Sequence, residues 1–193
     1  MILLASRSPR RAELLQQVGI AFRVAPAEVD ERVLPQETAA AYVERVTLAK
    51  THAARAAQAA GADAVPVLAA DTAVVLGRHI LGKPADRTEG LAMLAALSGR
   101  SHRVLTGVAV LAAELQFRLS VSRVRFRTIA ADEAAAYWAT GEPADKAGGY
   151  AVQGLAAAFV ERIEGSYSGI MGLPLFETLQ LLEQAGVRPR WQV

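Results

Sequence analysis

The sequence predicts an α/β fold: a single domain, residues 1–193, with a central mixed β-sheet flanked by helices. Three observations carry the prediction. Short apolar runs of strand character alternate with segments of helical period. Some neighbouring strands are joined by tight turns and others by helices, so the sheet needs antiparallel and parallel pairs together. No internal repeat, low-complexity tract or linker interrupts the 193 residues, a length at which one chain buries a full core.

Residues 2–5, "ILLA", read as a short buried strand. It runs into a helix that Ser8 caps, Pro9 opens and Gly19 stops: proline lacks an N–H that the first turn does not need, and glycine accepts the C′ conformation. "IAFRV" (20–24) reads as the next strand. An alanine-rich helix is expected over 37–60, with Tyr42, Val43, Val46 and residues 49–53 on its buried side. "VPVLAADTAVVL" (65–76) is a strand run that meets "HILGKP" across the tight turn Gly77-Arg78. "DRTEGLAMLAALSG" (86–99) sets Asp86 three residues before Glu89, a capping-box pattern, and ends at Gly99. Two long strand-like runs follow at 102–112 and 116–128, then a short helix over 131–140. Beyond a glycine-rich loop, "AAFVERI" reads as a strand, and "PLFETLQLLEQAG" as a closing helix between Pro174 and Gly186.

Composition excludes several classes. Cysteine is absent, which removes disulfides, zinc–thiolate sites and thiol catalysis. The N-terminus has no basic segment before its four apolar residues, so no signal peptide is expected, and no apolar run has the length of a membrane span. These readings point to the cytoplasm. The net charge of +2 is too small to argue for nucleic acid. Of the 21 cations only Lys50, Lys83 and Lys146 are lysine, which marks them either as places that need a compact ammonium or as chance survivors of a coding bias towards arginine.

Standard motifs fail. Gly82-Lys83 is followed by Pro84, so there is no P-loop, and neither a dinucleotide fingerprint nor H-E-x-x-H occurs. His52, His79 and His102 lie far apart without ligand spacing. What remains is polar residues at the ends of apolar elements. In "SRSPRR" (6–11) two arginines enter the positive end of a helix, where cations are unfavourable. The turn is either an anion site or a pair of guanidinium groups bent into solvent. Asp71 ends an apolar strand run, so it must be solvated, paired or metal-bound; with Glu31 or Asp30 it would hold a hard divalent cation, and it would equally serve as a turn residue. Lys83 sits beside a turn. The loop "GEPADKAGGYAVQG" (141–154) groups glycines around Lys146 and Gln153, whose amide offers one donor and one acceptor to a base edge. Arg123, Arg125 and Arg127 alternate along one strand and form either a polyanion groove or a solvated face.

Taken together, "LASRSPRRAELL", "VDER", "AADTAVVLGRHILGKP", "LSGRSHRVLTGVAV", "GEPADKAGGYAVQG" and "EGSYSGIMGLPLFET" resemble the Maf family of nucleotide pyrophosphatases over nearly the whole chain. The resemblance implies a Maf/ITPase-like fold with a cleft for the nucleotide. It also implies metal-dependent cleavage, with Mg²⁺ or Mn²⁺, of a nucleoside triphosphate to monophosphate and pyrophosphate. "SPRR", "ADT" and "KAGGYAVQG" are similar to the branch acting on dTTP and UTP rather than on 7-methyl-GTP. By the same resemblance, Asp71 is either the proton acceptor or the residue that positions water through a metal, for which Glu31 and Asp71 are the implied ligands. Arg10, Thr72 and Gln153 would govern the choice of base, and Ser8, Arg11, Lys50 and Lys83 would line the phosphate site. It implies a small-molecule substrate in nucleotide-pool cleansing, no nucleic acid or membrane, and compatibility with a homodimer. Three other readings compete: the same reaction on another base such as 7-methyl-GTP, a regulatory nucleotide binder of septum formation without turnover, and a nucleic-acid binder using the Arg123–Arg127 face.

Overall fold

A computed structural model describes residues 1–58 and 64–192. Among them the strand runs become β1 (Ile2–Leu4), β2 (Phe22–Val24), β3 (Val67–Leu76), β4 (His79–Leu81), β5 (Ser101–Leu111), β6 (Leu115–Phe126) and β7 (Val160–Glu164). They form one sheet in the order β2-β1-β3-β5-β6-β7, with β4 also on β3. β1 is parallel to β2 and β3, and the remaining pairs are antiparallel. The mixed sheet expected from the alternation of turns and crossovers is therefore present. No helix among the described residues is long and apolar enough to cross a membrane.

The helices are α1 (Pro9–Gln17), α2 (Ala39–Ala56), α3 (Arg87–Leu97), α4 (Ala131–Ala139), α5 (Tyr167–Met171) and α6 (Leu175–Gln184). Strand period 2 divides β3 between two layers. Val67, Ala69, Ala73 and Val75 face α2, where they pack with Ala54 and Val43. Leu68 and Ala70 face α1 and α6, meeting Leu14, Leu15, Leu181 and Leu182, and Val74 joins the cluster under α3 and α4. The side chains of Leu68, Leu94, Leu181 and Leu182 are fully buried. Each such side chain contributes about 1.5–3 kcal/mol of burial free energy.

Several local expectations shift. Helix α2 begins at Ala39 rather than at 37, and Thr38 caps it by accepting from the N–H of Ala41 at 3.2 Å. That helix ends at Ala56, and residues 59 and 60 of the expected span lie outside the described residues. Its buried stripe is Val43, Val46, Thr47, Lys50, Thr51 and Ala54; Tyr42 and Ala53 are only half-buried and His52 is exposed. Ser8 stands at the N-cap of α1, but its hydroxyl makes no cap bond. Asp86 does accept from the Glu89 N–H at 2.9 Å, and Glu89 closes the box on Ala85 instead of Asp86. The run 155–159 is a 3₁₀ helix, so the expected strand begins only at Val160. Helix α5 was not expected: Ser166 caps it through the Gly169 N–H at 3.0 Å.

Candidate active site

The cleft exists because β3 shares one edge between two partners. β1 pairs with Val67 and Leu68, and β4 with Val74–Leu76. Over 69–73 that edge meets no strand among the described residues, because β1 ends at Leu4 and the chain turns away through 6–8 into α1. β5 pairs along the opposite edge from Val67 to Val75. A sheet that divides in this way leaves a crevice at its strand ends, where α/β proteins gather their ligands. Here the crevice has a volume of about 850 Å³, and Asp71 and Thr72 lie in its floor.

The strand alternation sends these two neighbours to opposite layers. Asp71 belongs to the row that faces α2, and Lys50 stands at the middle of the buried stripe of α2. Two charges in facing apolar stripes must pair, because an isolated buried charge is prohibitive. Lys50 Nζ donates to Asp71 Oδ1 at 2.8 Å and lies 2.9 Å from Glu31 Oε1. Asp71 is 6% exposed and Lys50 8%. Gly107 is the register partner of Asp71, and a Cβ there would lie 2.8 Å from Thr47 Oγ1 and 2.9 Å from Val43. Its missing side chain lets α2 approach the sheet at the level where the lysine must reach. Asp71 Oδ2 is buried and has no hydrogen-bond partner among the described residues.

Thr72 faces the other layer and joins a directional chain. Thr106 Oγ1 donates its only proton to the Gly169 carbonyl at 2.7 Å. The Thr72 hydroxyl, 2.9 Å away, must therefore donate to Thr106, which leaves its own oxygen to accept from Arg11 at 3.4 Å. Arg11 also donates through Nε to the Gly172 carbonyl at 2.7 Å and through Nη1 to Ser6 Oγ at 3.1 Å. Burial pushes its pKa down, offset by the charge of Asp71. The two arginines of the opening turn thus differ. Arg11 is locked in the wall with three of its N–H groups used, while half-buried Arg10 faces the crevice 4.0 Å from Asp145.

The nine residues expected at the site, Ser8, Arg10, Arg11, Glu31, Lys50, Asp71, Thr72, Lys83 and Gln153, all line this one cleft. Lys83 and Gln153 are both exposed residues of its lining. Lys146 also lines it and pairs with Asp145, so all three lysines of the chain meet here. Of the two acidic alternatives, the structure selects Glu31. Asp30 turns away to Arg32, Nη2 to Oδ2 at 2.7 Å, and that hydrogen-bonded pair holds its carboxyl far below the usual range. Gly172, whose carbonyl accepts from Arg11 in the cleft wall, and Thr106, behind Thr72, are groups that local motifs did not single out.

The expected histidines and arginine strip stand elsewhere. His52 and His79 are exposed, whereas His102 is buried with Nε2 at 2.7 Å from the Tyr150 hydroxyl. Burial lowers its pKa to about 4. Arg125 pairs with Glu161 at 3.2 Å and Arg127 with Glu133, and Arg123 lies on the same solvated face of β6.

A divided α/β sheet with a buried carboxylate–ammonium pair beneath a basic rim makes a cleft suited to anions. The chain belongs to the Maf family, since the model of the Maf-like proteins matches residues 1–185. A dTTP/UTP pyrophosphatase of Hahella chejuensis is 52% identical over 188 residues, 97% of this chain and 93% of that protein. One of Burkholderia orbicola is 54% identical over 197 residues, covering 97% and 94%. One of Burkholderia lata is 55% identical over 194 residues, covering 95% and 92%. A looser structural likeness has a TM-score of 0.42 and 17% identity over 66% of this chain and 75% of the other. It is to a nucleoside-triphosphatase / dITP/XTP pyrophosphatase from Mycobacterium abscessus.

Proposed function

We propose that the protein is a cytoplasmic nucleoside triphosphate pyrophosphatase that converts dTTP and UTP to the monophosphate and pyrophosphate, with residues 1–193 acting as one catalytic unit. The observation that carries this reading is Asp71: a buried carboxylate at the floor of a basic cleft, with Oδ1 held by Lys50 and Oδ2 left unpartnered. The names of the relatives, at 52–55% identity over nearly the full chain, support the same substrate class.

In this reading a water molecule placed against Asp71 Oδ2 attacks the α-phosphorus. The new P–O bond forms from the water oxygen, the carboxylate takes the water proton, and the α–β bridging bond breaks with its electrons leaving on pyrophosphate. Phosphoryl transfer of this kind is largely positioning and charge neutralisation. Arg10 and Lys83 supply cations at the cleft, and Arg11 supplies a fixed one through its unused N–H groups. Lys50 holds the Asp71 carboxylate in place. Gln153 offers the donor–acceptor pair that matches O4 and N3–H of thymine or uracil.

Asp71 and Glu31 fit a divalent cation. They converge on one ammonium, and Asp71 keeps a buried oxygen without a partner. Among the described residues no third acidic or histidine ligand joins them, which suits Mg²⁺ or Mn²⁺ sharing its remaining positions with substrate phosphates and water. When bound there, such a cation supplies charge neutralisation at the phosphate oxygens.

The test is incubation with a panel of nucleoside triphosphates and Mg²⁺ or Mn²⁺, with products identified. Monophosphate and pyrophosphate from dTTP and UTP, with purine nucleotides spared, is the expected result. Orthophosphate release overturns the cleavage position. Binding without any turnover overturns the enzyme reading in favour of a regulatory nucleotide binder.

A further inference from the structure

Strand β3 divides the cleft into two halves of different chemistry. On the side of Asp71 stand the charges of Lys50 and Glu31. On the side of Thr72 the next residue of the same row is Val74, which forms one apolar cluster with Tyr150 and Val152, with Ile170 and Met171 packed against it. All five line the cleft. A nucleotide carries the same division, charged phosphates at one end and a flat base with apolar faces at the other. The apolar half suits the base, and the few polar groups placed in such a half decide which base it takes. Half-buried Thr72 is one of them.

A hydroxyl ordinarily donates or accepts as its partner requires, because its hydrogen rotates. The Thr72 hydroxyl has lost that freedom. Its register partner on β5 is Thr106, 1% exposed, whose proton goes to the Gly169 carbonyl at 2.7 Å. Turning that bond round would leave two oxygens at this distance with no proton between them. Thr72 therefore donates to Thr106 and takes the Arg11 N–H on one lone pair. Towards the cleft it has only its second lone pair, so it accepts there and does not donate.

The exposed Gln153 amide is under no such constraint, and a half-turn lets it serve either pyrimidine. Thymine and uracil carry a proton at N3, where cytosine has a lone pair, and a base outside a duplex is read along this edge. We propose that Thr106 is a positioning residue that locks Thr72 as an acceptor. So locked, Thr72 accepts the N3–H of thymine or uracil, beside the Gln153 amide, and rejects cytosine by setting lone pair against lone pair. The inference rests on the pyrophosphatase reading above. Thr106 shares the sheet face of Thr72, opposite to that of Asp71, so its effect falls on base choice and not on the cleavage step.

The experiment compares wild-type protein with Thr106→Val and Thr106→Ser, using dTTP and dCTP. Valine keeps the branched shape, and the Gly169 carbonyl keeps the Gly172 N–H at 3.0 Å. The Thr72 proton is then free for the cleft, and cytosine N3 gains a donor. In Thr106→Val, kcat/KM for dCTP is expected to rise roughly tenfold, mainly through KM, with that for dTTP within about threefold of wild type. Serine keeps the hydroxyl and should keep the wild-type ratio. A merely structural role would lower both activities together, and an unchanged ratio in Thr106→Val overturns the proposal. Wild-type protein that uses dCTP as readily as dTTP overturns it too. If Thr106→Val does not fold, calorimetry of wild-type protein with dTMP and 5-fluoro-dUMP at rising alkaline pH decides alone. Fluorine makes the N3–H more acidic, so an oxygen that only accepts should lose 5-fluoro-dUMP at a lower pH than dTMP. The same pH course for both overturns the proposal. If wild-type protein turns over neither nucleotide, the pyrophosphatase reading fails. Calorimetry with dTMP and dCMP then decides: a wild-type preference erased in Thr106→Val supports the locked hydroxyl, and an unaltered or absent preference overturns it.

Discussion

On one wall of the cleft, Asp71, Lys50 and Arg11 sit on β3, α2 and α1, and each is no more than 9% exposed. On the other, Gln153 is exposed on a loop made of two 3₁₀ turns and held through backbone amides. The first wall uses buried charges that answer one another across regular elements, so its geometry is tied to the packing of the core. The second is set by a few hydrogen bonds to Glu142 and by the His102–Tyr150 contact beneath it. In the proposed function, the cleavage step and the part of base choice that falls to Gln153 are thereby assigned to different materials. A buried ion pair resists change because losing one partner strands the other, while a clamped loop can be altered one hydrogen bond at a time.

The sharpest way to break this contrast is Asp71→Asn. We expect turnover to fall roughly a thousandfold with nucleotide affinity held within a few-fold, as loss of a general base predicts. Pyrophosphate release and calorimetry measure the two separately, and an equal fall in both would erase the distinction between the walls. Lys50→Met should cost about 3 kcal/mol of stability in denaturant unfolding, because the buried Asp71 carboxylate loses its cation. Adding Asp71→Asn to that variant should restore part of the loss, since the stranded charge is then gone.

Acid should loosen the loop wall. The folded pKa of His102 is about 4, below its unfolded value near 6.5, so the unfolded chain binds more protons between those values. Its contribution is complete above pH 6.5, falls as pH drops towards 4, and amounts to roughly 3 kcal/mol. Urea midpoints across that range should show the slope, and His102→Phe should flatten it. The smallest effect is expected at Gln153. Its change to alanine should shift the ranking of bases about tenfold and leave stability within about 0.5 kcal/mol, because the side chain is exposed.

The elements were legible wherever local signals agreed. The strand periods, Pro9, the Asp86 cap and Gly77-Arg78 place their elements within a few residues of the structure. Reading failed where a distant group decided the local conformation. Residues 157–159 read as a strand start, whereas the structure has a 3₁₀ turn over 155–159 whose Leu155 N–H donates to the distant Glu142 carboxylate. The arginine puzzle in "SRSPRR" has the same character. No residue near Arg11 in sequence announces that Gly172, 161 positions away, will accept its Nε–H.

By itself the sequence determined the α/β class, most element boundaries and, through its resemblance to a family, the nine residues that come to line the cleft. Periodicity and turn chemistry act over a few residues, so they survive in a linear reading. The tertiary structure alone decided which acid faces Lys50, that Arg11 is locked in the wall while Arg10 faces the crevice, and that the Thr72 hydroxyl donates to Thr106. Each of these depends on sheet register and on hydrogen-bond directions between segments far apart in sequence, and those exist only once the strands have paired.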